Sequence, residues 1–590
     1  MISHFLTDIT KSVVKEGKSF FFVIAGNDQT YEHIGLQLSD VNRMQNTPLG
    51  LCIIITHMKT TDTLTTGPKL KDAEVTITRS TFFTMALVYL TLPVVIFFLG
   101  YLKIWWGLLF STLTITAVVA AIKRFKKDGP ADQADKITIK PSFFLVVIPL
   151  IIVFLFLGGV SEYSWCLIDH RVRYAILNDL VEYKWPVIYD FSTQQNPTVA
   201  ANLGSGSAAF AYYFTFWMIP ALFGKLFGLM AARIVLFVWT GIGLFLVSLG
   251  ACLLYKRSSK MLFFCLILFA GFDVIPYVFN RITGTGTTWE GWTDHLYIHS
   301  NFFQIMNVFN QSIPGWMITT LLLLAPNGRS IGLLGGLMFC YSPWATIGIL
   351  PMCVCKIIMT SRNTYGETGK TSAFKPILKT LLTPQNIIPP VICLVLFGSL
   401  YTANPNATGA DGFIWNFYTP LHLLKDYIMF VLFDFVLWFI LIIRKHKKDP
   451  MLWTAFITLL ILPVYKISIA NDFLMRGSMA PMFMIGLYVV MFVTDNFEMC
   501  REKKLELKKA IAGRLVLILM VIAAYTPGNY ILYSSLTSYP MPFTDETVIA
   551  EKDLIGSFGN IKHASELKTV KDQFFVYDYE DSVFFKYFAR

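Results

Sequence analysis

The sequence predicts an all-α, polytopic helical membrane protein with about thirteen transmembrane helices, on three observations. First, 55% of its 590 residues are hydrophobic, only 15% are charged, and the mean hydropathy is +0.56. A soluble domain carries about 25% charged residues. Second, runs such as 143–160 and 234–255 are free of charge. They reach or exceed the roughly 18 residues that cross a hydrocarbon core. Third, these runs do not alternate apolar with polar residues, as barrel strands would, so they are helices whose backbone groups pair internally.

The short basic loops between the runs assign the sides, because Lys and Arg collect on the cytoplasmic face. Runs 82–101 and 104–122 form a hairpin that ends in the basic stretch 123–127. Residues 1–79 are then cytoplasmic, either a small extension or a mistaken start, and no cleavable signal peptide is read there. Run 143–160 leads outward, and 234–255 returns to a basic cluster at 256–260. An odd number of crossings separates them. Stretch 208–228, broken by Pro220, is therefore expected to lie along the outer interface, the alternative being a span paired with a missed one. Run 261–279 goes out and 313–325 comes in. Stretch 331–358 splits at Ser342-Pro343 into two short helices. Runs 386–402, 427–443, 451–466, 478–494 and 515–533 then alternate. The expected domains are an N-terminal extension 1–79, a multi-span body 80–533 and an external tail 534–590. The setting is a plasma membrane, with the N-terminus inside and the C-terminus outside.

Some function classes are disfavoured. The net charge of +11 lies in loops between spans, so nucleic acid is not an expected partner. Most of the nine cysteines fall within apolar runs, which gives neither a disulfide framework nor a CxxC site. There is no P-loop and no Gly-rich nucleotide fingerprint.

The stretches assigned as external instead collect carboxylates, histidines, amides and aromatics. Asp169 stands just beyond a span, where partial desolvation makes a carboxylate more basic. His170, Arg171, Asp179 and Glu182 share its loop. Asp273 lies within a predicted span, toward its outer end, and an intramembrane acid is a functional candidate by its cost. His295 and His299 are spaced as on one helix face. With Asp294 or Glu290 they would offer ligands to a divalent cation, although no HExxH is present. Asn310 and Gln311 are expected at the mouth of the next span, placed for sugar hydroxyls. Asp472 and Arg476, four apart in an external turn, are placed to pair with each other. An external Arg also suits a phosphate clamp.

Tyr212, Tyr213, Lys225, Leu226, Phe227, Gly228, Ala232 and Arg233 follow this loop as a Tyr-Tyr pair, then Lys-Leu-Phe-Gly, then Ala-Arg. That pattern resembles the polyprenyl-phosphate-sugar-dependent membrane glycosyltransferases of the type-C fold. Segments 169–190, 309–316 and 471–481 resemble those of large bacterial membrane proteins of the same kind. The likeness covers roughly 80–500 in layout and is sharpest over 165–255. Two features depart from the family pattern: the spans within 82–122 precede its usual first span, and Ser-Ala-Ala replaces the Pro-Pro that often precedes the tyrosine pair. The resemblance implies that Asp169 is the catalytic base. It further implies a sugar moved from a lipid-phosphate donor to a cell-surface glycan or lipid acceptor, with membrane lipids as the other partners. The rival readings are a transporter or flippase for a lipid-linked glycan, a surface polysaccharide polymerase or ligase, and a non-enzymatic scaffold.

Overall fold

The computed structural model describes residues 74–129, 136–164, 170–193, 206–283, 290, 295–368, 374–403, 411–468, 471–501, 507–538, 556–560 and 573–590. The chain divides into two units, 1–71 and 72–590, and the first lies outside the described residues. The second is predominantly helical.

It opens with β1 (Val75–Thr78), paired antiparallel with β2 (Lys136–Ile139). Between these strands run α1 (Arg79–Tyr101) and α2 (Ile104–Asp128). Thr78 starts α1 by accepting a hydrogen bond from Thr81 N at 3.1 Å. After β2 come α3 (Pro141–Leu157), α4 (His170–Glu182), β3 (Ile188–Asp190), β4 (Ser207–Phe210), α5 (Met218–Phe227) and α6 (Leu229–Tyr255). The middle of the chain supplies α7 (Lys260–Ile267), α8 (Val274–Thr283), α9 (Asn301–Leu324), α10 (Ile331–Tyr341), α11 (Pro343–Thr368), α12 (Phe374–Leu381) and α13 (Pro384–Tyr401). Then follow β5 (Gly412–Phe413) and α14 (Pro420–Val431). A wide turn at Leu432–Val436 continues α14 into α15 (Leu437–His446). The remainder comprises α16 (Pro450–Ile461), β6 (Tyr465–Lys466), α17 (Asp472–Gly477), α18 (Met479–Arg501), α19 (Leu507–Ala523), α20 (Tyr525–Ser538) and β7 (Phe575–Val576).

Among the described residues, seven helices are long and apolar enough to cross a membrane: α1, α2, α6, α11 over 343–363, α13, the joined α14–α15, and α18 over 479–499. Gly513–Ala523 and Tyr525–Leu536, bent by 44°, make an eighth if taken as one span. Their outer faces fit lipid. Trp105 of α2 is 61% exposed, Val238 of α6 53% and Leu421 of α14 78%. Water would penalise each of these side chains, and hydrocarbon does not. Length, composition and these faces mark a multi-pass membrane protein.

Several elements differ from the sequence expectation. The expected single helix 261–279 is broken between Ile267 and Val274. The helix expected at 313–325 begins at Asn301 instead. Its first turns are polar enough to read as loop, yet they are helical because Ser300 caps Phe303 N at 3.2 Å and the helix is buried on nearly every side. The boundary expected at 79 shifts too, since residues 74–79 belong to the second unit through the β1–β2 pair. The helix inside 208–228 covers only 215–227, shorter than a span.

Two ends of the bundle are recognisable from contacts. At one, Arg79 donates to Leu324 O at 3.1 Å, Asn327 to Asp128 at 2.9 Å, and Arg257 pairs with Asp495 at 2.9 Å. At the other, Arg590 N–H donates to Tyr101 O at 2.9 Å, Lys103 N–H to Phe588 O at 2.9 Å, and β4 pairs with both β3 and β7. Part of the tail thereby packs onto the ends of α1 and α4.

Candidate functional site

Asp169, Asp294 and the side chain of Arg171 lie outside the described residues. The residue after Asp169, His170, is fully buried and opens α4. Its Nε2 lies 2.6 Å from Met306 O. A carbonyl only accepts, so Nε2 carries the proton. Arg173 Nη1 donates to the same carbonyl at 3.2 Å, and its Nη2 to Asn307 Oδ1 at 3.2 Å. This crowding has a backbone cause. Val308 departs from helical geometry (φ −144°, ψ 40°), so α9 kinks, and a kink opens the helical hydrogen-bond ladder to side-chain donors. His170 Nδ1, buried and without a hydrogen-bond partner among the described residues, faces Glu162 Oε1 at 3.9 Å.

Glu162 sits in a strained turn. Gly159, Ser161 and Glu162 have φ of 70°, 66° and 56°, a left-handed region that side-chain-bearing residues rarely occupy. Arg233 holds the turn. Its Nη2 donates to Ser161 O at 2.8 Å and to Glu162 O at 3.1 Å, and its Nε lies 3.7 Å from the Glu162 carboxylate. Lys225 Nζ donates to Val181 O at 3.1 Å and Tyr183 O at 2.5 Å, which caps the far end of α4. Gly228 makes the corner between α5 and α6 at φ +89°, where a side chain would be strained. Leu226 and Phe227 are 66% and 69% exposed and extend the apolar surface at this corner. The Lys225–Arg233 stretch therefore holds two places, the 158–163 turn and the end of α4.

The tyrosine pair forms the second part. The Tyr212 and Tyr213 rings lie with centroids 3.8 Å apart, tilted by 30°. Arg476 Nη1 donates to Tyr213 OH, and its guanidinium lies 5.2 Å above that ring. Arg476 Nη2 pairs with Asp472 at 3.1 Å, as the spacing predicts, while Nε is buried with no hydrogen-bond partner among the described residues. Tyr212 lies within electrostatic reach of both Arg476 and Arg173. Burial raises both tyrosine hydroxyls above their ordinary value, so they act as neutral hydrogen-bonding groups. Asn471 (φ 47°) caps α17 and donates to His295 O at 2.8 Å, tying this turn to the 295–300 segment.

The remaining candidates fall elsewhere. Asn310 and Gln311 are 2% and 1% exposed inside α9, so they do not form a mouth. The helix face expected for His295 and His299 does not form, because 295–300 is irregular and α9 starts only at Asn301. The His295 ring packs against Phe417 and Tyr418, whereas His299 Nδ1 binds Glu290 at 2.6 Å. Among the described residues no group of three or more His, Cys, Asp or Glu is placed to hold a metal ion. Asp179 is fully buried and accepts from Tyr189 OH at 2.8 Å and Phe558 N–H at 2.9 Å, a tail-docking role. Glu182 is exposed at the end of α4. Asp273 is buried at the α7–α8 break beside Asp434 and Glu290. Sequence reasoning passed over Glu162, Arg173 and Asp434. Asp434 had a signal, an acid in the middle of an apolar run.

No family model, curated protein or solved structure matches the chain.

Proposed function

We propose that the chain is a membrane glycosyltransferase taking its sugar from a polyprenyl-phosphate donor and passing it to a surface glycan or lipid. One observation carries this reading. The residues that resemble the family pattern act together, Lys225 holding the end of α4 and Arg233 the 158–163 turn, the parts of the chain that follow and precede Asp169 in sequence, while Tyr213 meets Arg476. In this reading the acceptor hydroxyl oxygen attacks the anomeric carbon and the bond from that carbon to the phosphate oxygen breaks. The hydroxyl proton passes to Asp169, and the departing phosphate carries off the electron pair. Arg476, with an unsatisfied Nε and two neutral tyrosines beside it, suits the phosphate's growing charge. Attack opposite the leaving phosphate inverts the anomeric centre.

The reading extends to topology. The end holding Arg79, Arg124, Arg257, Arg329 and Lys445 would be cytoplasmic, and the Arg476 end external. In this reading the shorter apolar helices and the broken pairs cross as well as the seven long ones, for about thirteen crossings of a plasma membrane, N-terminus in and C-terminus out.

A second reading, a transporter of a lipid-linked anionic glycan, is favoured by the broken α7–α8 with its buried acid. Purified chain in vesicles with a polyprenyl-phosphate-linked sugar separates the two. The transferase releases polyprenyl phosphate, and Asp169→Asn lowers that rate by about 10²–10⁴-fold. Arg476→Gln weakens donor binding by about 10- to 100-fold, the worth of a charge-assisted hydrogen bond. Movement of intact donor between leaflets with no release would favour the transporter. Equal release by wild type and Asp169→Asn would remove Asp169 as base.

A further inference from the structure

The α7–α8 break has a purpose that sugar transfer does not use. Residues 268–273 lie against the wide turn at Leu432–Val436. Phe272 N–H donates to Phe433 O at 3.2 Å, Trp438 Nε1 donates to Ala270 O at 3.0 Å, and Phe272 stacks on Trp438 at 4.7 Å. Gly271 permits the approach, since a Cβ there would stand 2.9 Å from Asp434 Oδ1 and 3.0 Å from its Cα. This contact brings two carboxyls together inside the bundle, Asp273 at 1% exposure and Asp434 at 0%.

Neither oxygen of Asp273 has a hydrogen-bond donor among the described residues. The groups facing it are Asp434, Glu290 and Tyr530. Two carboxylates brought this close out of water repel each other, and a cation shared between them relieves that cost. A metal ion would need further ligands, and no His, Cys, Asp or Glu group of three among the described residues supplies them. A proton needs only the two carboxyls.

Glu290 leads away from the pair toward the Arg476 end. Its Oε1 accepts from Ser300 N at 3.1 Å and from Ser300 Oγ, and its Oε2 binds His299 Nδ1 at 2.6 Å. His299 keeps its second ring nitrogen, Nε2, for a further partner. Its segment is the one Asn471 ties to α17. We infer that Asp273 and Asp434 form a proton-binding site within the bundle, supplied from the Arg476 end through His299 and Glu290. Loss of the proton would leave two like charges in contact and push 268–273 away from Leu432–Val436, so the break is also a hinge.

Infrared spectroscopy of the full chain in nanodiscs tests this, at a pH above the range where ordinary carboxyls titrate. Wild type is expected to show a protonated-carboxyl C=O band that shifts in D₂O. Asp273→Asn and Asp434→Asn should each abolish it. Asn is close in shape to a protonated Asp, so both variants should keep the wild-type melting temperature, which checks folding. His299→Phe should slow deuterium uptake by that band at least tenfold. A wild type without the band overturns the proposal, as does a band that survives both Asn variants. Stabilisation by Na⁺ in wild type but not in Asp273→Asn, with no band, would assign the pair to a metal cation instead. An unchanged exchange rate in His299→Phe would sink the supply route. None of these outcomes depends on sugar transfer.

Discussion

Acidification should tighten the grip of the tail on α4, and Asp179 fixes the size of the effect. Its carboxyl is buried among Tyr189, Phe558 and Ser557, and burial raises its pKa from 3.8 to about 6 against the hydrogen bonds that lower it. The pKa is higher in the docked state than in the free one. Docking is therefore strongest below 3.8 and weakens as pH climbs through about 6. Between pH 7 and pH 5 the linkage relation gives a gain of about 1.4 kcal/mol, or about tenfold in the docking constant. Hydrogen exchange at the Phe558 amide, corrected for its intrinsic rate, should show that tenfold rise in protection. Asp179→Asn retains an acceptor oxygen but has no charge to lose, so its protection should be flat over the same range. Protection that falls on acidification, or an Asn variant that keeps the wild-type pH dependence, would refute the linkage.

Two other substitutions probe the frame. Gly348→Ala should be among the most damaging single-methyl changes, because the new Cβ would lie 1.8 Å from Gly477 O, a backbone atom that cannot swing aside. Overpacking of this kind costs about 1–3 kcal/mol or more, and the melting temperature of detergent-solubilised protein would record it. Arg233→Gln should release the 158–163 turn, since two left-handed residues lose the donors that hold their carbonyls. Proteolysis within 158–170 should accelerate, and an unchanged cleavage rate would show that the turn holds without the arginine.

Much of the fold was legible because lipid imposes a simple rule. An uncharged run of sufficient length must become a helix, so α1, α2, α6 and α13 fall close to where hydropathy puts them. The Ser342-Pro343 break was legible as well, and it falls between α10 and α11. The rule fails where polar residues are buried against protein. Asn301, Gln304, Asn307, Asn310 and Gln311 made the start of α9 read as an external stretch. Neighbouring helices shield them from lipid, and hydropathy cannot sense neighbours. The site was legible in part for the same reason. The Asp472–Arg476 pair is local in sequence and was visible at i, i+4. Arg173 with Met306, Arg233 with Ser161 and Asp273 with Asp434 join residues 72 to 161 positions apart, and only packing reveals them.

The departures from regular helix coincide with polar chemistry, and this has a physical reason. A straight helix surrounded by apolar groups satisfies its own backbone and has no need of Arg or His. Once Val308 kinks α9, Met306 O has Arg173 and His170 to satisfy it. When α7 stops at Ile267, Ala270 O is met by Trp438 and Phe272 N–H by Phe433 O. Each break therefore draws a specific polar partner into the bundle, and a partner already paid for in desolvation can hold a ligand at little further cost. That is why the helix breaks coincide with the entry of His170 and Arg173 at Met306 and with the carboxyl pair at Asp273. If the breaks were mere packing accidents, replacing Asp273 or Arg173 with an apolar residue of similar volume should stabilise the chain and change nothing else.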